Sequence, residues 1–460
     1  MCSFCWRRWK PFSVAERGER LNAQVIRYLA EIVGPQGLLT DDDDLFVYAY
    51  DASFPEHRPD AVVFPRTVGA VSQIMALASE ESIPVVPRGA GTGLSGGAVP
   101  VQGGIALSLA KMNHILKIDA DNLVAEVEPG VINAHLQAAT APHGLFYPPD
   151  PASMKACTLG GNVAEDAGGP KCLKYGVTRN YVLGLQAVLP TGEILDTGGR
   201  VIKNTAGYDL TRLFVGSEGT LGIVTKIILR LMPLPESTRT MLVFFDSLEA
   251  ASKSVSAIIA AGIIPSALEM MDNLLIRAAE DFTHVGLPID VAAMLLIEVD
   301  GVDVALDADV DAIRKICEKE GAREVRVATS AAEVDRLWVA RRTVIGAAGR
   351  IRPSLVLQDV TVQRSLLPEM VARIVQISKK HDLPIGVLAH AGDGNLHPLI
   401  LFDARKEDDL KRVKLIEHEI FVASVELDGT LTGEHGIGVT KLEYLNWQLN
   451  PAAIRVTKGL

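Results

Sequence analysis

Arg88-Gly-Ala-Gly-Thr-Gly-Leu-Ser-Gly-Gly-Ala98 packs five glycines into eleven residues, and the reading of that stretch decides the fold. Gly91-Thr-Gly-Leu-Ser-Gly96 satisfies the GxGxxG pattern of Rossmann dinucleotide sites. In a Rossmann unit, however, the glycines open a helix, and an acid for the ribose follows about 20 residues on. Pro100, Gly103 and Gly104 forbid a helix directly after this loop. What remains is a strand, Ile83 to Pro87, entering a loop whose consecutive backbone N–H groups can wrap a diphosphate.

The surroundings are strands and helices in alternation. Apolar positions recur at helical spacing from Glu19 to Val33, and Gly34-Pro35 ends that helix. Asp41 to Asp44 reads as a solvated acidic cap. Ala61 to Phe64 reads as a strand, and Thr67 caps a helix running through Ser79. Beyond the loop come strands at Ile105 to Leu109, Ile115 to Ile118 and Leu123 to Val127, then helices around Val131 to Thr140 and Leu210 to Phe214. After Pro233-Leu-Pro235 the texture changes to alanine-rich helical patterns and alternating strands: Ser247 to Ala261, Met294 to Val299, Leu366 to Lys380. The expected division is a lead-in over 1–57, a first domain over 58–236 and a second over 237–460.

Composition narrows the function classes. At 460 residues the chain exceeds one ordinary core, and 48% hydrophobic with 22% charged residues describes a folded protein. A net charge of -11 without a basic face argues against nucleic-acid binding. The apolar runs are far shorter than the ~20 residues a bilayer span needs. The N-terminus lacks a secretory signal, so the cytosol is the expected compartment. Five cysteines fit a reducing environment, and Cys2-Ser-Phe-Cys5, a lone CxxC at a chain end, is expected to carry no function.

Two further glycine-dense turns lie in the first domain, Cys157-Thr-Leu-Gly-Gly-Asn162 continuing through Ala167-Gly-Gly169, and Gly216 to Ile223. Three such turns in about 180 residues suggest one long ligand lying across several loops. In the second domain His390-Ala-Gly-Asp-Gly-Asn-Leu-His397 and Gly433-Glu-His-Gly436 bring imidazoles and a carboxylate together between glycines. Two imidazoles and a carboxylate suit a borderline divalent cation such as zinc, with room left for substrate, and a second histidine could take a proton.

These segments, with Tyr147-Pro-Pro-Asp-Pro151 and Thr205-Ala-Gly-Tyr-Asp209, make a sequence that resembles the vanillyl-alcohol-oxidase type of FAD-linked dehydrogenases. The resemblance is strongest to its glycolate- and D-lactate-oxidising branch and runs from about Asp43 to about Lys441. It implies an α+β fold: a two-subdomain FAD-binding domain of the p-cresol methylhydroxylase type, then an α+β cap domain with an antiparallel sheet. Carried over, Arg88, Gly89, Ala90, Gly91, Thr92, Gly93, Leu94, Ser95, Gly96 and Gly97 would hold the pyrophosphate. Pro149, Ser153, Gly160, Gly161 and Asn162 would line the flavin and ribityl chain, and Glu218, Gly222 and Ile223 would meet the adenosine or ribityl end. With no His or Cys between Arg88 and Gly104, the resemblance implies noncovalent FAD.

The same resemblance implies that His390, His397 and Glu434 bind a divalent metal, Zn²⁺ or Mn²⁺, that His435 is the general base and that Arg341 clamps the substrate carboxylate. The implied reaction oxidises a small 2-hydroxyacid, glycolate or D-lactate, to the 2-oxoacid. Electrons would leave through an iron–sulfur subunit, in company with a second FAD-type subunit. The chain has no cysteine cluster for such a centre, so the centre belongs to a partner. Membrane association is expected to be at most peripheral, on the inner face and through partners. Gln358 and Leu399 replace a lysine and an asparagine of the hydroxyglutarate-oxidising relatives, which favours a small monocarboxylate. Relatives also carry an Asp-Pro…Asn-Pro-Gly-Lys tail not found before Leu460, so the competing expectation is a subunit that is inactive alone or dependent on assembly.

Overall fold

The computed structural model describes residues 21–53 and 55–460. The Cys2–Cys5 pair and the first two residues of the expected 19–33 helix fall outside that range. Caps set the first helices. Asn22 Oδ1 accepts from the N–H groups of Gln24 and Val25, both at 2.9 Å, to open Ala23–Val33, and Gly34 at φ 74° stops it. Thr67 Oγ1 accepts from Ala70 N at 3.2 Å and opens Val68–Glu80. The acidic run supplies the first turn of Asp42–Phe46, where the helix dipole favours negative charge.

Val68–Glu80 is a crossover between the strands Ala61–Val63 and Val85–Arg88, both parallel to Ile105–Ser108 between them. Leu38–Leu39 closes this sheet on the other side, antiparallel to Ala61–Val63. Arg88 is the last residue of its strand, so the glycine stretch leaves from a strand end, and residues 89–104 contain no helix. The Rossmann alternative fails for the reason that Pro100, Gly103 and Gly104 gave. A second sheet of five antiparallel strands follows, in the order Ile115–Asp119, Val124–Val127, Ile223–Arg230, Val182–Val188, Ile194–Gly198.

The C-terminal half is built on one large antiparallel sheet. Its order is Ala322–Val327, Ser237–Phe245, Ala293–Gly301, Ala267–Asp272, Ile385–His390, Asn395–Phe402, Ser354–Leu357, with Val360–Thr361 also on Asn395–Phe402. Successive side chains of a strand point to opposite faces. Met241, Val243 and Phe245 accordingly pack with Val255, Ile313, Ile374 and Ile420 from four helices, whereas Leu242 and Phe244 pack with Ile276 and Val344 from the helices Asn273–Thr283 and Ala331–Ala348. Helices therefore cover both faces, and strands such as Asn395–Phe402 are buried along their whole length. A charged residue in such a strand must be paired.

The two halves touch at several points. Lys174 Nζ and Tyr175 Oη both reach the buried carboxylate of Asp300, the tyrosine at 2.7 Å. Ser95 O accepts from Val439 N at 2.9 Å and Thr440 N at 3.2 Å. Among the described residues no helix is long and apolar enough to cross a membrane.

Candidate functional site

The glycine turns converge. Arg88, Gly89, Ala90, Gly91, Thr92, Gly93, Leu94 and Gly97 line a cavity of about 550 Å³ together with Ser153, Gly160, Gly161, Asn162, Glu218 and Gly222. Its walls require glycine where backbone meets backbone or side chain. A Cβ on Gly160 would stand 2.6 Å from Pro129 Cβ, and one on Gly91, at φ +71°, would overlap the Arg88 guanidinium folded beneath it. Arg88 is thereby held under the loop, with Nη1 on Ala98 O at 3.3 Å and the guanidinium over the Tyr48 ring. A cationic group beneath a run of backbone N–H groups fits a diphosphate.

Four of the expected cofactor residues are not among those that line the cavity. Ser95 is fully buried and gives its carbonyl to Val439 and Thr440, because the loop has turned inward there. Gly96 faces the Val439 side chain, which a Cβ would meet at 2.5 Å. Pro149 accepts from Asn133 Nδ2 at 3.0 Å, and Ile223 belongs to the apolar core between helix Val68–Glu80 and the sheets. Sequence reasoning missed Asp51, Cys157, Thr158, Glu165 and Ile345, all of which line the cavity. The Cys157 thiol donates to Asn162 Oδ1 at 3.6 Å, and burial raises its pKa, so it stands as a neutral thiol.

Glu434 and His435 line the same cavity from the C-terminal half. Behind them, strands Ile385–His390 and Asn395–Phe402 bring His390 and His397 side by side, ring centroids 5.0 Å apart. Nε2 of each points at Glu434 Oε1, at 3.3 Å from His390 and 3.2 Å from His397. One ligand atom from each of the three residues lies within 4.8 Å of the others. Burial opposes charge throughout this cluster, yet Glu269 and Glu434 hold His390 well above the ordinary imidazole range. The two histidines hold Glu434 well below the carboxylate range in the same way.

Each histidine has a carboxylate behind it. His390 Nδ1 lies 2.7 Å from Glu269 Oε1, and His397 Nδ1 lies 3.8 Å from Asp359 Oδ1, where neither atom has a hydrogen-bond partner. Imidazoles backed by carboxylates and aimed at a third carboxylate are the donor set and support that a four- to six-coordinate divalent cation uses, so the residues fit a metal. Asp359 also organises the loop. Its Oδ2 accepts from Thr432 Oγ1 at 2.6 Å and from the N–H groups of Gly433 at 2.8 Å, Glu434 at 3.0 Å and His435 at 2.9 Å. Burial works against that charge, and His435, Lys441 and His397 outweigh it. Asp359 with His397 and His435 forms an overlapping triple of donors, but four donors already occupy one of its oxygens.

His435 stacks on His397 at 5.0 Å, and burial pushes its imidazole down to about 4, so it is neutral near pH 7. Two of the expected residues on this side have partners within the protein. Arg341, expected to clamp a substrate carboxylate, is buried and ion-paired with Glu269, and it does not line the cavity. A buried strand acid such as Glu269 requires a cation, and Arg341 supplies it; Ile345, one turn along the same helix, is the residue that reaches the cavity. Glu218, expected at the adenosine or ribityl end, gives both carboxylate oxygens to the N–H groups of Ile437 at 2.8 Å and Gly438 at 2.7 Å. It ties the His435 loop to the glycine domain. Gln358 donates to Glu417 at 2.5 Å and Leu399 lies in the core, so neither side chain faces the cavity.

A glycine-walled cavity that ends at a histidine–carboxylate cluster defines the class of a flavin-dependent oxidoreductase, and comparison with known proteins agrees. Residues 59–198 match the FAD binding domain model, and residues 234–460 match that of the C-terminal domain of FAD linked oxidases. The solved structure of p-cresol methylhydroxylase with substrate bound has the same fold, with a TM-score of 0.79 and 19% identity over 95% of this chain and 93% of that one. The structure of 4-ethylphenol oxidase from Gulosibacter chungangensis gives 0.77 at 18% identity, covering 96% of each chain. Among curated proteins, glycolate oxidase subunit GlcD of Bacillus subtilis (strain 168) is 46% identical, over 96% of this chain and 94% of its own. D-lactate dehydrogenase of Anaerostipes hadrus is 33% identical over the same shares. The chain belongs to the FAD-linked oxidase family that contains these two proteins, and it is an FAD-linked oxidoreductase with the α+β, p-cresol methylhydroxylase type of FAD-binding fold.

Proposed function

We propose that this chain oxidises a small 2-hydroxyacid, glycolate or D-lactate, to the corresponding 2-oxoacid. The observation that carries the reading is the convergence of His390, His397 and Glu434 beside His435, where Glu434 and His435 line the glycine-walled cavity. Bound noncovalently, FAD supplies the acceptor for the two electrons that leave the substrate carbon as hydride. His390, His397 and Glu434 would hold a divalent metal, Zn²⁺ or Mn²⁺, whose charge lowers the pKa of a hydroxyl beside it.

The rest is the work of the chain. His435, kept neutral by its largely desolvated position, accepts the proton of the substrate hydroxyl. Asp359 holds the backbone that carries Glu434 and His435, and Glu218 fixes that loop against the cofactor domain. Glu269, charge-balanced by Arg341, orients His390. One proton and one hydride leave the hydroxyacid, and the 2-oxoacid is the balanced product. The name of the Bacillus relative, a subunit, supports partners for this chain as well. We assign to them an iron–sulfur subunit and a second FAD-type subunit that take the electrons onward.

Anaerobic addition of glycolate or D-lactate to the purified, FAD-loaded protein tests the proposal. Bleaching of the oxidised flavin absorbance with formation of glyoxylate or pyruvate is expected. A flavin that stays oxidised with either acid, while dithionite reduces it, would overturn the assignment.

A further inference from the structure

Glu165 is the last residue of the helix Leu159–Glu165, whose Gly160 and Gly161 belong to the cavity wall. Its side chain also lines the cavity, and its Oε2 atom is buried without a hydrogen-bond partner. Around it the charges are predominantly acidic. A Cβ placed on Gly436 would overlap Glu165 Oε2 and stand 3.0 Å from Glu218 Oε1, so both carboxylates crowd the same glycine. Asp51, on the segment after helix Asp42–Phe46, adds a third negative group, and its own Oδ2 is buried and unpartnered. Among the described residues Lys441 is the cation acting on Glu165, and it lies 3.7 Å from Asp359 Oδ2 and 3.4 Å from Asp359 O.

Glu218 and Glu165 differ in what they are offered. Both oxygens of Glu218 receive backbone N–H groups, from Ile437 and Gly438, and such donors stabilise a carboxylate. Glu165 Oε2 receives none, and an ionised group there would be a bare buried charge facing another. A neutral carboxylic acid in the same position has an O–H to give. The contact with Gly436 places that O–H at the His435 end of the cavity.

We infer that Glu165 is a protonated acid in the resting protein and that it donates a hydrogen bond to an acceptor atom of the bound flavin ring. This rests on the reading above, in which the ring lies at the His435 end. Burial, then Glu218 and Asp51, push the Glu165 carboxyl up to about 8 against the pull of Lys441. The donor is therefore present at neutral pH and lost in mild alkali. Loss of its proton replaces an attraction to the ring by a negative charge beside it.

The test is the affinity for FAD and the flavin midpoint potential as functions of pH, from about pH 6 to about pH 10, in the full-length native protein and in Glu165→Gln. The amide keeps an N–H donor at every pH. The native protein should lose about tenfold in FAD affinity across the alkaline limb, with a bend in the potential profile that E165Q lacks. Matching profiles in the two proteins would overturn the inference. Infrared difference spectra on flavin reduction give a second reading that needs no stable variant. A perturbed protonated-carboxyl band in the native protein, absent from E165Q where that variant folds, is expected, and its absence from the native protein would again overturn the inference. If FAD binds and a hydroxyacid bleaches it but neither signature is found, this assignment alone fails; no bleaching with both signatures present removes only the substrate reading.

Discussion

The N-terminal half makes its site from backbone, whereas the C-terminal half makes its site from side chains. Around Gly91 and Gly160 the cavity wall is glycine because neighbouring atoms leave no room for a Cβ. Around Glu434 the functional groups are ionisable, buried and neutralised in layers: Arg341 behind Glu269, Glu269 behind His390, Asp359 behind His397. Backbone donors suit a large ligand that must be held through every turnover. Side chains suit a proton and a metal, because they can be tuned by burial and by one another. Substitutions in the two regions should therefore fail differently.

The largest effect is expected in the backbone-built region. Gly91→Val places a branched side chain at φ +71° on top of the Arg88 guanidinium, and the purified variant should carry no FAD while keeping its fold. Flavin absorbance and circular dichroism report the two properties separately, and full FAD retention would break the comparison. Next in size, His435→Ala should retain FAD but reduce it about 10²- to 10⁴-fold more slowly in anaerobic stopped flow. Loss of FAD from that variant would mean that His435 supports the cofactor and not the reaction.

Smaller effects sharpen the layering. Glu269→Gln removes the charge between His390 and Arg341, and metal content or flavin-reduction rate should fall about 10- to 100-fold while FAD affinity is unchanged. An unaltered metal content and rate would return Glu269 to a purely structural role. The smallest effect is remote from both regions. Thr67→Ala removes one helix cap and should cost about 1 kcal/mol in urea unfolding with unchanged catalysis.

What could be read from sequence divides along the same line. The glycine turns, the Thr67 cap and the helix stop at Gly34 are written in consecutive residues, and the structure has them at those places. The two histidines and Glu434 were visible because glycines frame them. Their support was not. Glu269 precedes His390 by 121 positions and Asp359 precedes His435 by 76, so only strand pairing and the loop path bring them together. A faint signal existed for Glu269, a lone acid within the apolar Ala267–Met271 run whose burial on both faces demands a cation. Arg341, expected at a substrate carboxylate, pairs with Glu269 in the structure. Ser95, Gly96, Pro149 and Ile223 sit in the right motifs but are not among the residues that line the cavity, since a motif names a segment and not the surroundings of each residue in it.

The central claim is that the two regions meet in one reaction, the glycine-built site holding FAD and the side-chain site activating a hydroxyacid through a metal. The direct measurement is anaerobic flavin bleaching by glycolate and D-lactate before chelation, after chelation and after Zn²⁺ or Mn²⁺ is restored, with bound FAD quantified at each stage. The account predicts constant FAD, bleaching lost on chelation and bleaching recovered with metal. Equal bleaching rates in metal-free and metal-replete protein would contradict it.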